Sequence, residues 1–358
     1  VTGRVTGEVS GWVPDVLPGY WQRTIALGSD PAGEGEIVAT LIRRGPEPEQ
    51  SGRETAAFGN AVLAVHGYTD YFFHTELADH FAARGLTFYA LDLHKCGRSR
   101  RDGQTPHFIT DLTNYETELD QALAAIAEDA APGQPGHRAK VLVYAHSAGG
   151  LIASLWLDRL RRRNPTAHAA VGGLVLNSPF LELPGPPVLR HSVIVTLIAG
   201  LSRVRAKGVA RSPSEGGYGT SLHRDYGGEF EYNLQWKPVG GFPITFGWLH
   251  AVRRGQARLH RGLDVGVPNL ILRSDHSVQE STDSVSMQCG DAVLDVTQIA
   301  RWAGCVGNRS TVVPVADAKH DVFLSLRGPR EVAYRELDLW LDGYLRADND
   351  VSASLRKG

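Results

Sequence analysis

Cysteine is scarce in this chain. Cys96, Cys289 and Cys305 are the only three in 358 residues, too few and too odd a number for a disulfide scaffold, so all three are read as free thiols. A surplus of one charge sign is also lacking. The net charge of -2 and the pI near 6.7 supply no basic field for a polyanion, so nucleic acid is not an expected partner. Long hydrophobic runs are missing too: the longest, Val193 to Leu201 (VIVTLIAGL), is about half of the roughly 20 residues that span a bilayer, so no transmembrane segment is expected. The opening VTGRVTGEVSGWVPDV has no apolar core behind a basic segment, so it does not read as a secretory signal, and the cytoplasm is the expected location. No P-loop, dinucleotide fingerprint or metal-ligand spacing of His, Cys and carboxylates is found, and neither a metal nor an organic cofactor is expected.

What is present is an ordinary globular composition, 42% hydrophobic and 21% charged, in a chain longer than an average domain. Seven short β-branched runs read as buried strands: 36–42, 61–67, 87–93, 140–146, 172–178, 268–274 and 310–316. Helical patterns lie between them. Phe73, Leu77 and Phe81 repeat every four residues before Gly85, and Leu112, Tyr115, Leu119, Leu123 and Ile126 form a second apolar face. A third helix is expected after Ser147, stopping at Asn164-Pro165, and a last one from about Pro329 to Leu345. Alternating strands and helices imply an α/β fold with a mostly parallel central sheet flanked by helices. From residue 181 onward the strand rhythm is lost to Pro, Gly, aromatics and arginines, so the chain divides into core 1–180, an inserted cap 181–262 and core 263–358. The stretches 46–59 and 131–139 read as surface loops.

The sharpest local signal is VLVYAHSAGG (141–150): a buried strand, Ser147 among small residues, then a helix. This is the pattern of a nucleophile elbow, which exposes the serine oxygen on a tight strand-to-helix turn and aims the next backbone N–H, on Ala148, at the same reacting carbonyl. Ala145 stands where the G-x-S-x-G pattern has its first glycine; it is still small. Earlier, AVLAVHGYTD (61–70) ends a strand at His66-Gly67, and the N–H of Tyr68 is the candidate second oxyanion donor. His66 itself can equally be a satisfied structural histidine.

The segments HGYTDYFFHTELADHFAARGLTFYALDLHKCGRS (66–99) and YAHSAGG (144–150) resemble the monoacylglycerol lipase and lysophospholipase branch of the α/β-hydrolases, which is also related to serine aminopeptidases. The resemblance is strongest over 61–180 and 265–325 and weak across the cap. It implies a catalytic order of nucleophile, acid, histidine. His320 in VVPVADAKHDVFLSL (312–326) resembles the catalytic-histidine loop. His146 adjoins Ser147 but points to the opposite face of the strand, and His223 and His250 fall in the cap. Asp291 in MQCGDAVLDV (287–296) matches the family's acid segment. Asp275, which ends a strand directly, is its rival. Asp295 has a structural reading as a helix cap, with Gln298 three residues on, and Asp92 and Ser99 are expected to hydrogen-bond within their turn.

The expected activity is therefore cleavage of a carboxylic ester through Ser147, His320 and Asp291, with Tyr68 and Ala148 as the oxyanion hole. The cap's Tyr218, Phe230, Tyr232, Trp236, Phe242, Phe246 and Trp248 can line an apolar pocket or form the cap's own core. As a class they favour a hydrophobic small-molecule ester, although no individual substrate-binding residue is assigned. The resemblance implies acyl glycerols or lysophospholipids. Some relatives of this type open lactones, including macrocyclic ones such as zearalenone, and the Arg-rich, Lys-poor composition is compatible with their high-GC sources. A serine aminopeptidase, with Glu215, Asp225, Glu229 or Glu231 as an amine anchor, and a non-catalytic receptor of the same fold are the rival readings. If the protein assembles, a homodimer is expected.

Overall fold

The computed structural model describes residues 10–46, 61–129, 140–186, 188, 192–214, 216–280 and 286–355. The loop expected at 131–139 and nearly all of 46–59 fall outside them. Nine strands form one sheet: β1 (Val13–Pro14), β2 (Tyr20–Ser29), β3 (Glu36–Arg44), β4 (Ala61–Val65), β5 (Thr87–Asp92), β6 (Val141–His146), β7 (Val171–Asn177), β10 (Asn269–Ser274) and β11 (Ser310–Val315). Their spatial order is β1-β2-β3-β5-β4-β6-β7-β10-β11. From β5 to β11 all neighbours pair in parallel, and only β1 to β3, with the β3–β5 junction, are antiparallel.

All seven expected strands are present, and β1 and β2 are additional. Only Tyr20 and Ile25 of β2 are buried, so its sequence YWQRTIALGS has no apolar run to announce it. The central strands are buried on both faces, as parallel strands between helices must be. In β4, Leu63 and Val65 join one apolar cluster while Val62 and Ala64 join the other, the period of two expected of a strand.

The first cluster is covered by α2 (Glu116–Asp129) and α3 (Ala148–Arg163), whose Leu119, Leu123, Leu151 and Leu155 pack inward. The second is covered by α1 (Thr75–Ala83) and α8 (Arg327–Leu355) through Leu77, Phe81, Leu337 and Leu341. The helix α3 stops at Asn164 because Pro165 cannot donate to the helix and restricts the residue before it. Asn164 then caps α4 (Pro165–His168) by accepting the Ala167 N–H at 3.1 Å.

Between β7 and β10 the chain leaves the sheet. It forms α5 (Ser192–Val204), a short antiparallel ribbon of β8 (Val209–Arg211) and β9 (Ile244–Thr245), irregular turns, and α6 (Phe246–Leu259). Two features differ from the cap read off the sequence. A strand pair is present in it, and α6 packs into the main core: Trp248, Ala251, Val252 and Leu259 share a cluster with Leu151 and Leu155. Gly255 permits that approach, since a Cβ there would meet Leu112 and Leu155 at 2.9 Å. After β10 the helix α7 (Val296–Trp302) is capped by Asp295, which accepts from Thr297 N–H at 3.0 Å. No helix among the described residues is long and apolar enough to cross a membrane.

Candidate active site

Ser147 lies between β6 and α3 with φ 51° and ψ -119°, a conformation that costs a non-glycine residue about 1–3 kcal/mol and persists only where the surroundings enforce it. Here they do. Its N–H donates to Asn177 O at 2.9 Å, and its carbonyl accepts from Gly150 and Phe180, each at 2.9 Å. Small residues are required around it: a Cβ on Gly149 would overlap the His66 carbonyl oxygen, and one on Gly67 would come within 3.0 Å of Ser147 Cβ.

The structure brings Ser147, His320 and Asp291 together, although they are far apart in the chain. Ser147 Oγ is 2.9 Å from His320 Nε2, and His320 Nδ1 is 2.9 Å from Asp291 Oδ2. The other carboxylate oxygen, Oδ1, accepts the N–H groups of Val293 and Leu294 at 2.8 and 2.7 Å. A carboxylate so placed can only accept, so His320 carries its proton on Nδ1 and turns the Nε2 lone pair to the serine hydroxyl.

Asp275 has a different fate. It is exposed and accepts from His276 at 2.7 Å and from Asp317 N–H at 3.0 Å. The ligand atoms of Asp275, His276 and Asp317 lie within 4.8 Å of one another on the surface, a juxtaposition invisible in sequence spacing. Asp291 reaches the strand-end position because the chain beyond β10 makes an excursion and returns: Asp291 N–H donates to His276 O at 3.1 Å, and Val278 N–H donates to Asp291 O at 2.9 Å.

The N–H groups of Tyr68 and Ala148 make no hydrogen bond with the described residues and flank the elbow, one on the turn after β4 and one at the first position of α3. His66 is fully satisfied. Leu93 N–H donates to its Nε2 at 3.1 Å, which leaves the proton on Nδ1 to donate to Gly67 O at 2.7 Å. Asp92 accepts from Phe72 N–H at 2.8 Å and Arg98 N–H at 3.0 Å, and Ser99 Oγ donates to Asp92 O at 2.7 Å. In the cap, His223 is held by Asp225 N–H and Tyr232 O. His146 does not bond Ser147; its ring lies 4.9 Å from that of His320, and its Nδ1 is 3.3 Å from Asp70.

Several residues at this site carry no sequence motif. Asn177, a buried polar residue ending the apolar strand β7, donates to Asp321 at 2.6 Å and accepts Val322 N–H at 3.2 Å, anchoring the His320 loop. Tyr218 of the cap accepts Asp321 N–H at 3.0 Å and sets its ring edge-on to His320; burial pushes its phenol pKa well up. Lys319 is buried and donates to Ser221 O of the cap at 2.7 Å, and that burial lowers its pKa to about 8. Asp70 is buried against Lys237 at 2.7 Å. Burial alone would raise its carboxyl pKa, but Lys237 and His146 outweigh it and hold the group below the usual carboxylate range. A polar signal inside an apolar run marks Asn177; nothing local marks the other four.

The cap aromatics gather among themselves. Tyr218, Phe230, Tyr232 and Trp236 pack with Tyr71 and Phe73 of the core, whereas Trp248 belongs to the main core. Of the acidic cap residues, Asp225, Glu229 and Glu231 are largely exposed, the latter two paired with Arg330 and Arg224; Glu182 is buried and paired with Arg253, and Glu215 falls outside the described residues.

A family model described as serine aminopeptidase, S33, matches residues 58–278. No curated protein sequence matches. Among solved structures, the fold is similar to a soluble variant of a monoglyceride lipase from Saccharomyces cerevisiae, with TM-score 0.57 and 14% identity over 96% of this chain and 98% of that one. It is also similar to a monoacylglycerol lipase from Paleococcus ferrophilus, with TM-score 0.57 and 18% identity over 80% and 97%. A putative hydrolase from Agrobacterium vitis gives TM-score 0.54 and 16% identity over 89% and 97%. These likenesses establish the α/β-hydrolase fold.

Proposed function

Because the chain belongs to the serine aminopeptidase family of α/β-hydrolases, we propose that it hydrolyses a carboxylic ester of a hydrophobic substrate through Ser147, His320 and Asp291. The observation that carries this is the continuous relay Ser147 Oγ, His320 Nε2, His320 Nδ1, Asp291 Oδ2, with 2.9 Å at both contacts. His320 Nε2 takes the hydroxyl proton as Ser147 Oγ attacks the ester carbonyl. The oxyanion of the tetrahedral intermediate accepts from Tyr68 and Ala148 N–H, which make no other hydrogen bond among the described residues. Collapse breaks the bond to the alcohol, which leaves with the proton from His320, and Ser147 is acylated. Water then attacks the acyl-enzyme with His320 again as base, releasing the acid and restoring the serine. Asp291 stays ionised throughout and stabilises the imidazolium.

An ester is favoured over a peptide because an aminopeptidase needs a free carboxylate facing the substrate's amine, whereas among the described cap carboxylates Asp225, Glu229 and Glu231 sit exposed on the outside and the buried Glu182 is already paired with Arg253. The apolar and aromatic cap suits an acyl chain or ring system. Monoglycerides are what the names of two similar structures suggest. A lactone is chemically an ester whose alcohol stays tethered, so macrocyclic lactones belong to the same class.

The test is a panel of short and long p-nitrophenyl esters, monoacylglycerols, lactones and amino-acid p-nitroanilides. Ester turnover is expected to exceed anilide turnover and to fall about 10⁴-fold or more in Ser147→Ala. Preferential anilide cleavage, or equal labelling of the parent and Ser147→Ala by a fluorophosphonate, would overturn the reading.

A further inference from the structure

The turn after β4 carries the proposed oxyanion donor Tyr68, yet it is not held by its own backbone. Thr69 sits at φ 51°, and among the described residues the N–H groups of Tyr68, Thr69 and Asp70 make no backbone hydrogen bond. Within the turn, His66 Nδ1 donates to Gly67 O at 2.7 Å, and Gly67 N–H makes a long contact to Asp70 Oδ2 at 3.4 Å. From Tyr68 onward the fixing comes from the cap. Four consecutive residues each bond to one strap of it, residues 233–243. Tyr68 OH donates to Pro243 O at 2.6 Å. Thr69 Oγ1 accepts Phe242 N–H at 2.9 Å. Asp70 Oδ1 accepts from Lys237 Nζ at 2.7 Å. Tyr71 OH accepts Asn233 N–H at 2.7 Å.

The third contact differs in kind from the others. Lys237 and Asp70 are both buried, and Lys237 has Phe73 and Tyr232 around its ammonium at 5.5 and 5.8 Å. A buried ion pair is weak evidence of stability, since desolvating both charges offsets their attraction, but it does fix geometry, because either charge left alone is strongly unfavourable. Here the geometry fixed is the position of Asp70, two residues beyond the oxyanion donor, whose second oxygen lies 3.3 Å from His146 Nδ1.

We propose that the cap strap 233–243 positions the oxyanion turn, with Lys237 and Asp70 as positioning residues, so that the transition state is fully stabilised only while the cap is seated. The inference rests on the ester-hydrolase reading above. In this arrangement the cap both selects the substrate and completes the site. A substrate that lets the strap settle on Tyr68 to Tyr71 is turned over quickly, and one that props it away binds and is turned over slowly.

The experiment compares p-nitrophenyl butyrate with its thiono analogue, in which C=S replaces C=O. Sulfur is a poor hydrogen-bond acceptor, so the thiono ester gains little from an oxyanion hole, and the ratio of the two kcat values reports on donor alignment. Lys237→Met is expected to lower kcat on the oxo ester about tenfold, a fraction of what losing an oxyanion donor outright costs, with a similar fall in the oxo-to-thiono ratio and KM within about threefold.

If Lys237→Met alone fails to fold because Asp70 is left unpaired, the double variant Lys237→Met, Asp70→Asn removes both charges and is expected to show the same ratio. Thr69→Val, which keeps the ion pair and deletes one neutral contact, should show a smaller fall. A ratio unchanged from the parent in the folded variants, or a change confined to KM, overturns the proposal. Ser147→Ala separates the two questions: if it hydrolyses the oxo ester as fast as the parent, the ester-hydrolase reading fails, whereas an inactive Ser147→Ala with an unchanged ratio in the strap variants defeats only this inference.

Discussion

Ser147, Asp291 and His320 stand on loops that close directly onto parallel strands, whereas Tyr218, Lys237 and Pro243 reach the same site from the stretch of the cap between β8 and β9, which has almost no regular structure. Ser147 and Asp291 are held largely by backbone, the elbow by Asn177 O, Gly150 N–H and Phe180 N–H, and Asp291 by two N–H groups and by bonding to the segment just past β10. The His320 loop is tied to the end of β7 through the Asn177 side chain. The cap residues are held by side chains, through a phenol on a loop N–H, a buried ion pair and a cluster of rings. Backbone bonding to a sheet leaves one geometry. Side-chain bonding leaves a geometry that a substrate or a single substitution can alter. In the proposed mechanism, the core therefore fixes which bond is cut, and the cap decides how well and in which molecule.

The largest expected effect sharpens the core side of that contrast. Asp291→Asn should lower kcat by about 10²–10⁴-fold by removing the charge that orients His320 and stabilises the imidazolium, while the exposed Asp275→Asn changes it less than about twofold. Equal losses measured on one ester would remove the distinction between a backbone-placed acid and a surface one. Next comes Gly149→Val. Its side chain would collide with the His66 carbonyl, and a loss of about 3 kcal/mol or more, or failure to fold, is expected in denaturant unfolding. A variant with unchanged midpoint would show that the elbow yields more than its bonding suggests.

On the cap side the effects are smaller. Trp236 lies edge-on to Tyr71 at 5.1 Å with Arg98 5.6 Å from its ring. Trp236→Ala should cost about 1 kcal/mol for the ring pair beyond the area lost and should change the preference between short and long acyl esters more than it changes the chemistry. If both ester lengths slow in equal proportion, the strap and not the pocket is what it supports.

A last effect is read against pH. Lys319 has its pKa lowered from 10.5 to about 8 by burial, opposed by Glu229 and assisted by Arg330. The folded state therefore holds this proton less tightly than the unfolded chain, and between about pH 8 and 10.5 the unfolded chain binds more protons. Stability relative to a Lys319→Met variant should rise with pH across that window and be flat below it. Parallel melting curves for the two proteins from pH 7 to 10.5 would contradict the lowered pKa.

Residues that bear on the core were legible because their signals are local. Seven strands appear as β-branched runs, the elbow as small residues around a serine between strand and helix, and the cap of α7 as an aspartate at its start. The strand β2 was missed because only two of its ten residues are buried, so the alternation that marks a half-buried strand is absent. The helix α6 was hidden in an Arg-rich stretch, FGWLHAVRRGQARL, although Trp248, Ala251, Val252, Gly255 and Leu259 share one helical face. Asp291 could be preferred to Asp275 only by resemblance, because the excursion that returns it to the segment just past the end of β10 has no periodic signature.

By itself, then, the sequence determined the alternating sheet and its helices, the turn that strains Ser147, and the loop types that follow the last strands, since each depends on residues within a few positions of one another. Tertiary structure alone decided that Asp291 and not Asp275 meets His320, that Asn177 anchors the histidine loop, and that Tyr68 to Tyr71 are gripped by residues more than 160 positions away. Those contacts are set by how the excursion after β10 and the cap fold back over the sheet, and the chemistry of a hydrogen bond carries no record in the sequence of which distant partner will complete it.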